Sequence, residues 1–149
     1  MKLSTKGRYG LRSMVDLAVH SNGDHVSLNS IAERQNISEN YLEQVFATLR
    51  KAALVKSVKG AQGGYVLVAK PSEIKIGTVL RALEGNLSVI DVDTETDGAV
   101  KNSVQHCIKQ NVWDRINDRI NEVVDGITLE DLVNEYKKMN GSLALMYYI

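Results

Sequence analysis

Residues 38–68 read SENYLEQVFATLRKAALVKSVKGAQGGYVLV, and the hydrophobic period changes partway along them. Leu42, Val45, Phe46 and Leu49 fall at i, i+3, i+4 and i+7, which puts them on one face of a helix. Ser38 stands where a side-chain oxygen can cap the first turn, and Ile37 and Leu42 on either side have the spacing of a hydrophobic staple. The opposite face carries Glu39, Asn40, Glu43, Gln44, Thr48 and Lys51, with Arg50 and Lys51 in the last turn, where cations suit the helix dipole. From Val55 the pattern is that of strands. Val55 to Val58 and Tyr65 to Val68 are β-rich runs, and the GAQGG between them supplies backbone freedom for a hairpin tip.

Upstream, Leu11, Met14, Val15 and Ala18 share one face of a first helix, which Ser21, Asn22 and Gly23 stop. Ser27 caps a short second helix presenting Leu28, Ile31 and Ala32, and Gln35 and Asn36 make the turn into the third. Helix, short turn, helix is a helix-turn-helix pattern, and a hairpin placed directly after its second member is the wing of a winged helix. The tip of such a wing faces phosphates, which gives Lys56 and Lys59 a partner and would repel acids.

Charge supports that division of labour. The 149 residues carry no formal net charge. Met1 to Lys75 hold eleven Lys and Arg against six Asp and Glu, a net of +5, whereas Ile76 to Ile149 hold seven against twelve, a net of −5. A basic half joined to an acidic half fits a chain of which one half meets a polyanion. At 44% hydrophobic with one proline, the chain is long enough for a packed core. No stretch approaches a membrane span and the N-terminus MKLSTKGRYG has no apolar signal, so a cytosolic location is expected. The single cysteine, Cys107, excludes an intrachain disulfide framework.

After Pro71 a further helix bears Ile76, Val79, Leu80 and Leu83 and ends at Gly85. Asn86 to Asn102 has no period and reads as an acidic loop. Beyond it Trp113, Ile116, Ile120, Val123 and Ile127 are spaced 3, 4, 3, 4, a seam suited to packing against another helix. Thr128 and Asp131 form a capping-box pattern for a last helix bearing Leu129, Leu132, Val133 and Tyr136, and the final LALMYYI is an apolar tail in need of cover.

The runs LSTKGRYGLRSMVDLA, ISENYLEQVFATLRKAALVKSVKGAQGGYVL and ITLEDLV together resemble the bacterial winged-helix regulators of the IscR and CymR type, over nearly the whole chain. The resemblance implies a homodimer paired through the long helix near the C-terminus, with one winged helix-turn-helix per subunit. Cluster-binding members of this family carry three cysteines in the loop before that helix and a fourth ligand just inside it. Here the segment reads EGNLSVIDVDTETDGAVKNSVQHCIKQNVW: Cys107 stands where the third cysteine would be, and Gln110 takes the place of the histidine. One thiolate per subunit cannot supply such a cluster, so no cofactor is expected. The terminal MYYI resembles the cysteine-metabolism repressors of the family, and through them O-acetylserine thiol-lyase, the cysteine synthase, is implied as a signalling partner.

Other readings of the same residues are weaker. A phosphate-cradling loop runs from a strand into a helix, whereas GAQGGY runs into a second strand-like segment. Asp91, Asp93, Glu95 and Asp97 alternate as calcium ligands can, but Thr96 and Asn102 stand where such a loop needs its glycine and glutamate. Cys107 beside His106 is either an idle thiol or a redox switch, and the alternatives to a cysteine-metabolism repressor are a redox-responsive regulator sensing through Cys107 and an iron–sulfur cluster biogenesis regulator lacking the usual ligands. No catalytic triad, metal quartet or nucleotide fingerprint marks an enzyme.

The sequence therefore implies a mainly α fold with a small β-hairpin: a winged helix-turn-helix DNA-binding domain over 1–85, an acidic loop lacking cluster-ligand cysteines over 86–102, and a dimerisation helix, short helix and apolar tail over 103–149. In this reading Ser38, Asn40, Glu43 and Gln44 lie nearest the bases, Glu43 accepting from cytosine N4 and Gln44 pairing with adenine. Tyr41 serves packing or a phosphate. Lys6, Arg8, Arg50, Lys56 and Lys59 neutralise phosphates, and Lys59 beside Gly60 reaches the minor groove from the wing. Two-fold symmetry implies double-stranded DNA with a pseudo-palindromic operator.

Overall fold

The computed structural model describes residues 2–90 and 101–148, with side chains as far as residue 141. Helix α1 (Thr5–His20) starts where the Ser4 hydroxyl accepts the Gly7 N–H at 3.2 Å. Helix α2 (Leu28–Gln35) is capped by Ser27 and stopped by Asn36, whose φ of 55° turns the chain into the left-handed region. Two residues later the Ser38 hydroxyl receives the Tyr41 N–H and α3 (Glu39–Lys51) begins. Strands β1 (Val55–Val58) and β2 (Gly64–Leu67) pair antiparallel, Val55 opposite Leu67 and Val58 opposite Gly64. A 3₁₀ turn at Pro71–Glu73 leads to α4 (Ile76–Glu84), which ends at Gly85 with φ 82°.

The three N-terminal helices, α4 and β1 enclose one core. Met14, Leu17, Ile31, Leu42, Val45, Phe46, Leu49 and Val79 are fully buried, each contributing roughly 1.5–3 kcal/mol by leaving water. The stripe expected on α3 is the buried one. The face expected on α1 is displaced: Gly7, Gly10, Met14 and Leu17 point inward, whereas Leu11, Val15 and Ala18 are half-buried. The reason is α4, which lies so close that a methyl group at Gly7 would run into Glu84 and one at Gly10 into Leu83. Asp16, also buried, takes a two-point contact from Arg34 of α2, the shortest N–O distance being 2.7 Å, and the Gln35 amide at 2.8 Å. This pairing keeps a buried charge satisfied and fixes α2 on α1.

The C-terminal part departs from the sequence reading in three places. Helices α5 (Val104–Ile108) and α6 (Asp114–Asp125) are joined without a break by a π-helical turn at Lys109–Trp113. Gly126 ends α6, so Ile127, expected as the last member of the seam, lies off the helix; its carbonyl instead accepts the Ile76 N–H at 2.9 Å, while Leu129 donates to Ile74 at 2.8 Å. The last helix α7 (Leu129–Tyr148) is not short: its 20 residues run through the stretch read as an apolar tail. Its start is the expected capping box, Thr128 N–H on the Asp131 carboxylate at 2.9 Å and Asp131 N–H on the Thr128 hydroxyl at 3.1 Å. Asp91, Asp93, Glu95 and Asp97, and with them the calcium reading, lie outside the described residues. Among the described residues no helix is long and apolar enough to cross a membrane.

Candidate nucleic-acid interface

The N-terminal half of α3 presents Ser38, Glu39, Asn40, Glu43 and Gln44 exposed on the face opposite its buried stripe. Glu39 is engaged by the Asn29 amide of α2 at 3.2 Å. Glu43 has no hydrogen-bond or ion-pair partner among the described residues, so its carboxylate is available to an outside donor. Tyr41 is half-buried and meets Tyr9 of α1 edge to face, ring centres 6.1 Å apart.

The cations named from the sequence stand on α1, at the end of α3 and on the hairpin. Arg8, Arg50, Lys56 and Lys59 are exposed and Lys6 is half-buried, and among the described residues none of them is ion-paired to an acid. The guanidinium of Arg8 sits 5.9 Å from the Tyr9 ring centre and donates to the Thr5 hydroxyl. Elsewhere Arg34 holds Asp16 and Arg81 holds Asp125.

The hairpin tip uses its glycines in two ways. Gly60 has φ 133°, open space where a side chain would be, and accepts the Gly63 N–H at 3.1 Å. Gly63 and Gly64 instead permit close approach, since a methyl group there would collide with the Val58 and Val26 carbonyls. Val26, in the connection between α1 and α2, forms a bridge with Tyr65 through two hydrogen bonds of 3.0 and 2.9 Å, and Tyr65 packs on Phe46 of α3 at 4.8 Å. The hairpin is therefore held on α3 and on the loop before α2 at once. The sequence reading missed His25, Val26 and Asn29; their partners are distant along the chain, and no local period marks them.

Across α5 and α6 the residues named as a dimer seam divide. Ile116 and Val123 are exposed at 40% and 61%, and Val104, Ile108 and Val112 join them as exposed apolar positions. Trp113 is half-buried, and Ile120 and Ile127 pack on the chain's own core. Val104, Ile108, Val112 and Ile116 are four residues apart. Steps of four drift around a regular α-helix, and the wider π turn at Lys109–Trp113 takes that drift out. A second apolar surface, a cleft of about 410 Å³ between α1 and α7, is lined by Leu11, Val15, Leu132, Tyr136 and Met139.

Cys107 is exposed on α5, its carbonyl accepting the Asn111 amide at 2.8 Å and its sulfur lying 3.7 Å from the same nitrogen. Among the described residues no three His, Cys, Asp or Glu side chains gather as a metal site. With one thiol in the whole chain and Gln110 one turn on, the residues do not fit an iron–sulfur cluster held by the family's ligand pattern.

Three packed helices with a hairpin directly after the third define a winged helix-turn-helix DNA-binding protein. The chain belongs to the Rrf2 family, described as iron-dependent transcriptional regulators, whose model matches residues 3–135. It is 46% identical over 134 residues to the HTH-type transcriptional regulator CymR of Bacillus subtilis, covering 90% of this chain and 91% of that one. The solved structure of CymR, described as the global cysteine regulator of B. subtilis, superposes with a TM-score of 0.76 at 44% identity, covering 91% of this chain and 98% of that one. IscR of T. potens superposes with a TM-score of 0.73 at 46% identity, covering 93% and 90%. These relatives are transcriptional regulators, not enzymes.

Proposed function

We propose that this regulator is a homodimeric, cytoplasmic repressor of cysteine and sulfur metabolism genes that signals through O-acetylserine thiol-lyase. The observation that carries the DNA-binding mode is that the Glu43 and Gln44 side chains on the exposed face of α3 have no partner, and that Arg8, Arg50, Lys56 and Lys59 are exposed and meet no acid, among the described residues. In this mode Ser38, Asn40, Glu43 and Gln44 read base edges, and Lys6, Arg8, Arg50, Lys56, Lys59 and the Gly60 backbone hold phosphates. The cysteine reading is supported by the likeness to CymR and by a donor set unsuited to a cluster.

Pairing of two subunits is supported by the stripe Val104, Ile108, Val112, Ile116 and Val123, too apolar to remain in water on a stable monomer. Genome-wide mapping of bound sites tests the whole reading: peaks are expected upstream of cysteine and sulfur assimilation genes, each a pseudo-palindrome. Peaks confined to cluster-assembly genes would overturn it.

A further inference from the structure

The wing tip has a second anchor. We infer that His25 is a positioning residue that latches the tip of the hairpin to the turn between α1 and α2 and so fixes where Lys59 is presented. The inference rests on the hairpin being the DNA-contacting wing.

The turn itself is tight. Asn22 and Gly23 have φ of 41° and 82°, and the Asp24 N–H closes it on the Ser21 carbonyl at 2.6 Å. The Asp24 carboxylate then takes the backbone N–H of His25 at 2.7 Å and faces its Nδ1 at 2.9 Å, which sets the ring orientation. That leaves Nε2 directed at the backbone carbonyl of Gln62, with which it makes a short hydrogen bond. Gln62 lies in the tip, between Gly60 and Gly63, where the Gly63 N–H closes on Gly60. Next along the chain, Val26 bridges Tyr65 on the same edge of β2.

The contact thus extends the hold on the hairpin from the isolated bridge at Val26 and Tyr65 out to the tip. Without it the tip hangs on a two-stranded hairpin of four residues a side, an arrangement of marginal rigidity by itself. Preorganising the tip removes the ordering cost that DNA binding would otherwise bear. A histidine is suited to this because its Nε2–H can reach the Gln62 carbonyl while the backbone N–H of the same residue is held by Asp24. The Gln62 side chain is not involved, so the latch is written in residue 25 and not in the sequence of the tip.

Binding to a mixed-sequence DNA duplex over a range of salt concentrations tests the latch, since a wing–phosphate contact is independent of sequence. His25→Ala is expected to weaken binding about three- to tenfold and to reduce the salt slope by up to about one, as Lys59→Ala does. His25→Gln, whose amide nitrogen can occupy the place of Nε2, should restore binding to within about twofold of the parent. In the Lys59→Ala background His25→Ala should add little, because both act through one contact. Amide exchange at Gly63 in the free protein should speed up in His25→Ala and not in His25→Gln. Parental affinity in His25→Ala, full additivity with Lys59→Ala, or unchanged exchange at Gly63 would each overturn the latch. Parental affinity in Lys59→Ala would overturn the wing reading instead.

Discussion

At the scale of single residues, the interface combines an attraction that ignores sequence with a repulsion that depends on it. Lys59 is exposed at the hairpin tip without an acid among the described residues to satisfy it, so its charge is free for a phosphate. Lys59→Ala is expected to weaken binding to every duplex and to lower the slope of log affinity against log salt by about one. A salt titration by fluorescence anisotropy checks both. In the proposed binding mode Glu43 acts in the opposite sense: near the phosphates its carboxylate would cost affinity unless a cytosine N4 donor met it. Glu43→Ala should therefore leave nonspecific affinity level or higher while broadening the set of bound sequences. Selection from a randomised site library reads that breadth, and an unaltered consensus would remove Glu43 from base readout.

Between elements, the decisive contacts join α4 to α6. Arg81 donates to the Asp125 carboxylate at 2.8 and 2.9 Å and to the Asn121 side chain at 2.7 Å, tying the DNA-binding half to α6. The hydrogen bonds from Arg81, more than its charge, hold the Asp125 carboxyl below its ordinary value of 3.8. A carboxyl depressed in the folded state contributes stability above its ordinary value and loses it as pH falls through the folded one. Acid should consequently loosen this junction below about pH 4, and Asp125→Asn should flatten the acid limb of a thermal-melt profile. Gly77 allows the contact, since a methyl group there would strike Asp125 and Arg81.

The same junction separates two substitutions that the heptad spacing makes look equivalent. Ile116→Asp lies on the exposed stripe and should split the dimer while leaving a folded monomer. Ile120→Asp faces the chain's own core and should cost several kcal/mol of folding stability by burying an unpaired carboxylate. Sedimentation and thermal unfolding on both variants distinguish the outcomes.

For the whole molecule, the reading is of two DNA-binding heads set by one helical pairing, with the signal arriving from outside the chain. Purified protein is expected to be colourless and free of iron, and the Cys107→Ser variant should bind operator DNA as the parent does. Added O-acetylserine thiol-lyase should change operator affinity, and O-acetylserine should reverse the change. Peroxide that alters binding in the parent but not in Cys107→Ser would move the sensing function to the thiol. An iron-bearing brown protein isolated without oxygen would overturn both.

Much of this was determined by the sequence alone, because it is local. The stripe Leu42, Val45, Phe46, Leu49 repeats with the helical period, Ser38 and Ser27 cap the helices they precede, and Thr128 with Asp131 closes a box three residues wide. Each is written within a turn or two of chain, where spacing and geometry are nearly the same thing. Tertiary structure decided the remainder. The spacing 3, 4, 3, 4 is compatible with a straight seam, but a π turn rotates its start, Gly126 cuts off Ile127, and the chain's own core claims Ile120, so the exposed stripe runs instead through Val104, Ile108 and Val112. Gly7, Gly10 and Gly77 look like helix weaknesses in one dimension and are the places where neighbouring elements come too close for a side chain. His25 and Gln62, 37 positions apart, share no pattern at all. A period shows which face of a helix is apolar; what covers that face depends on the other elements of the fold, and no window of sequence contains them.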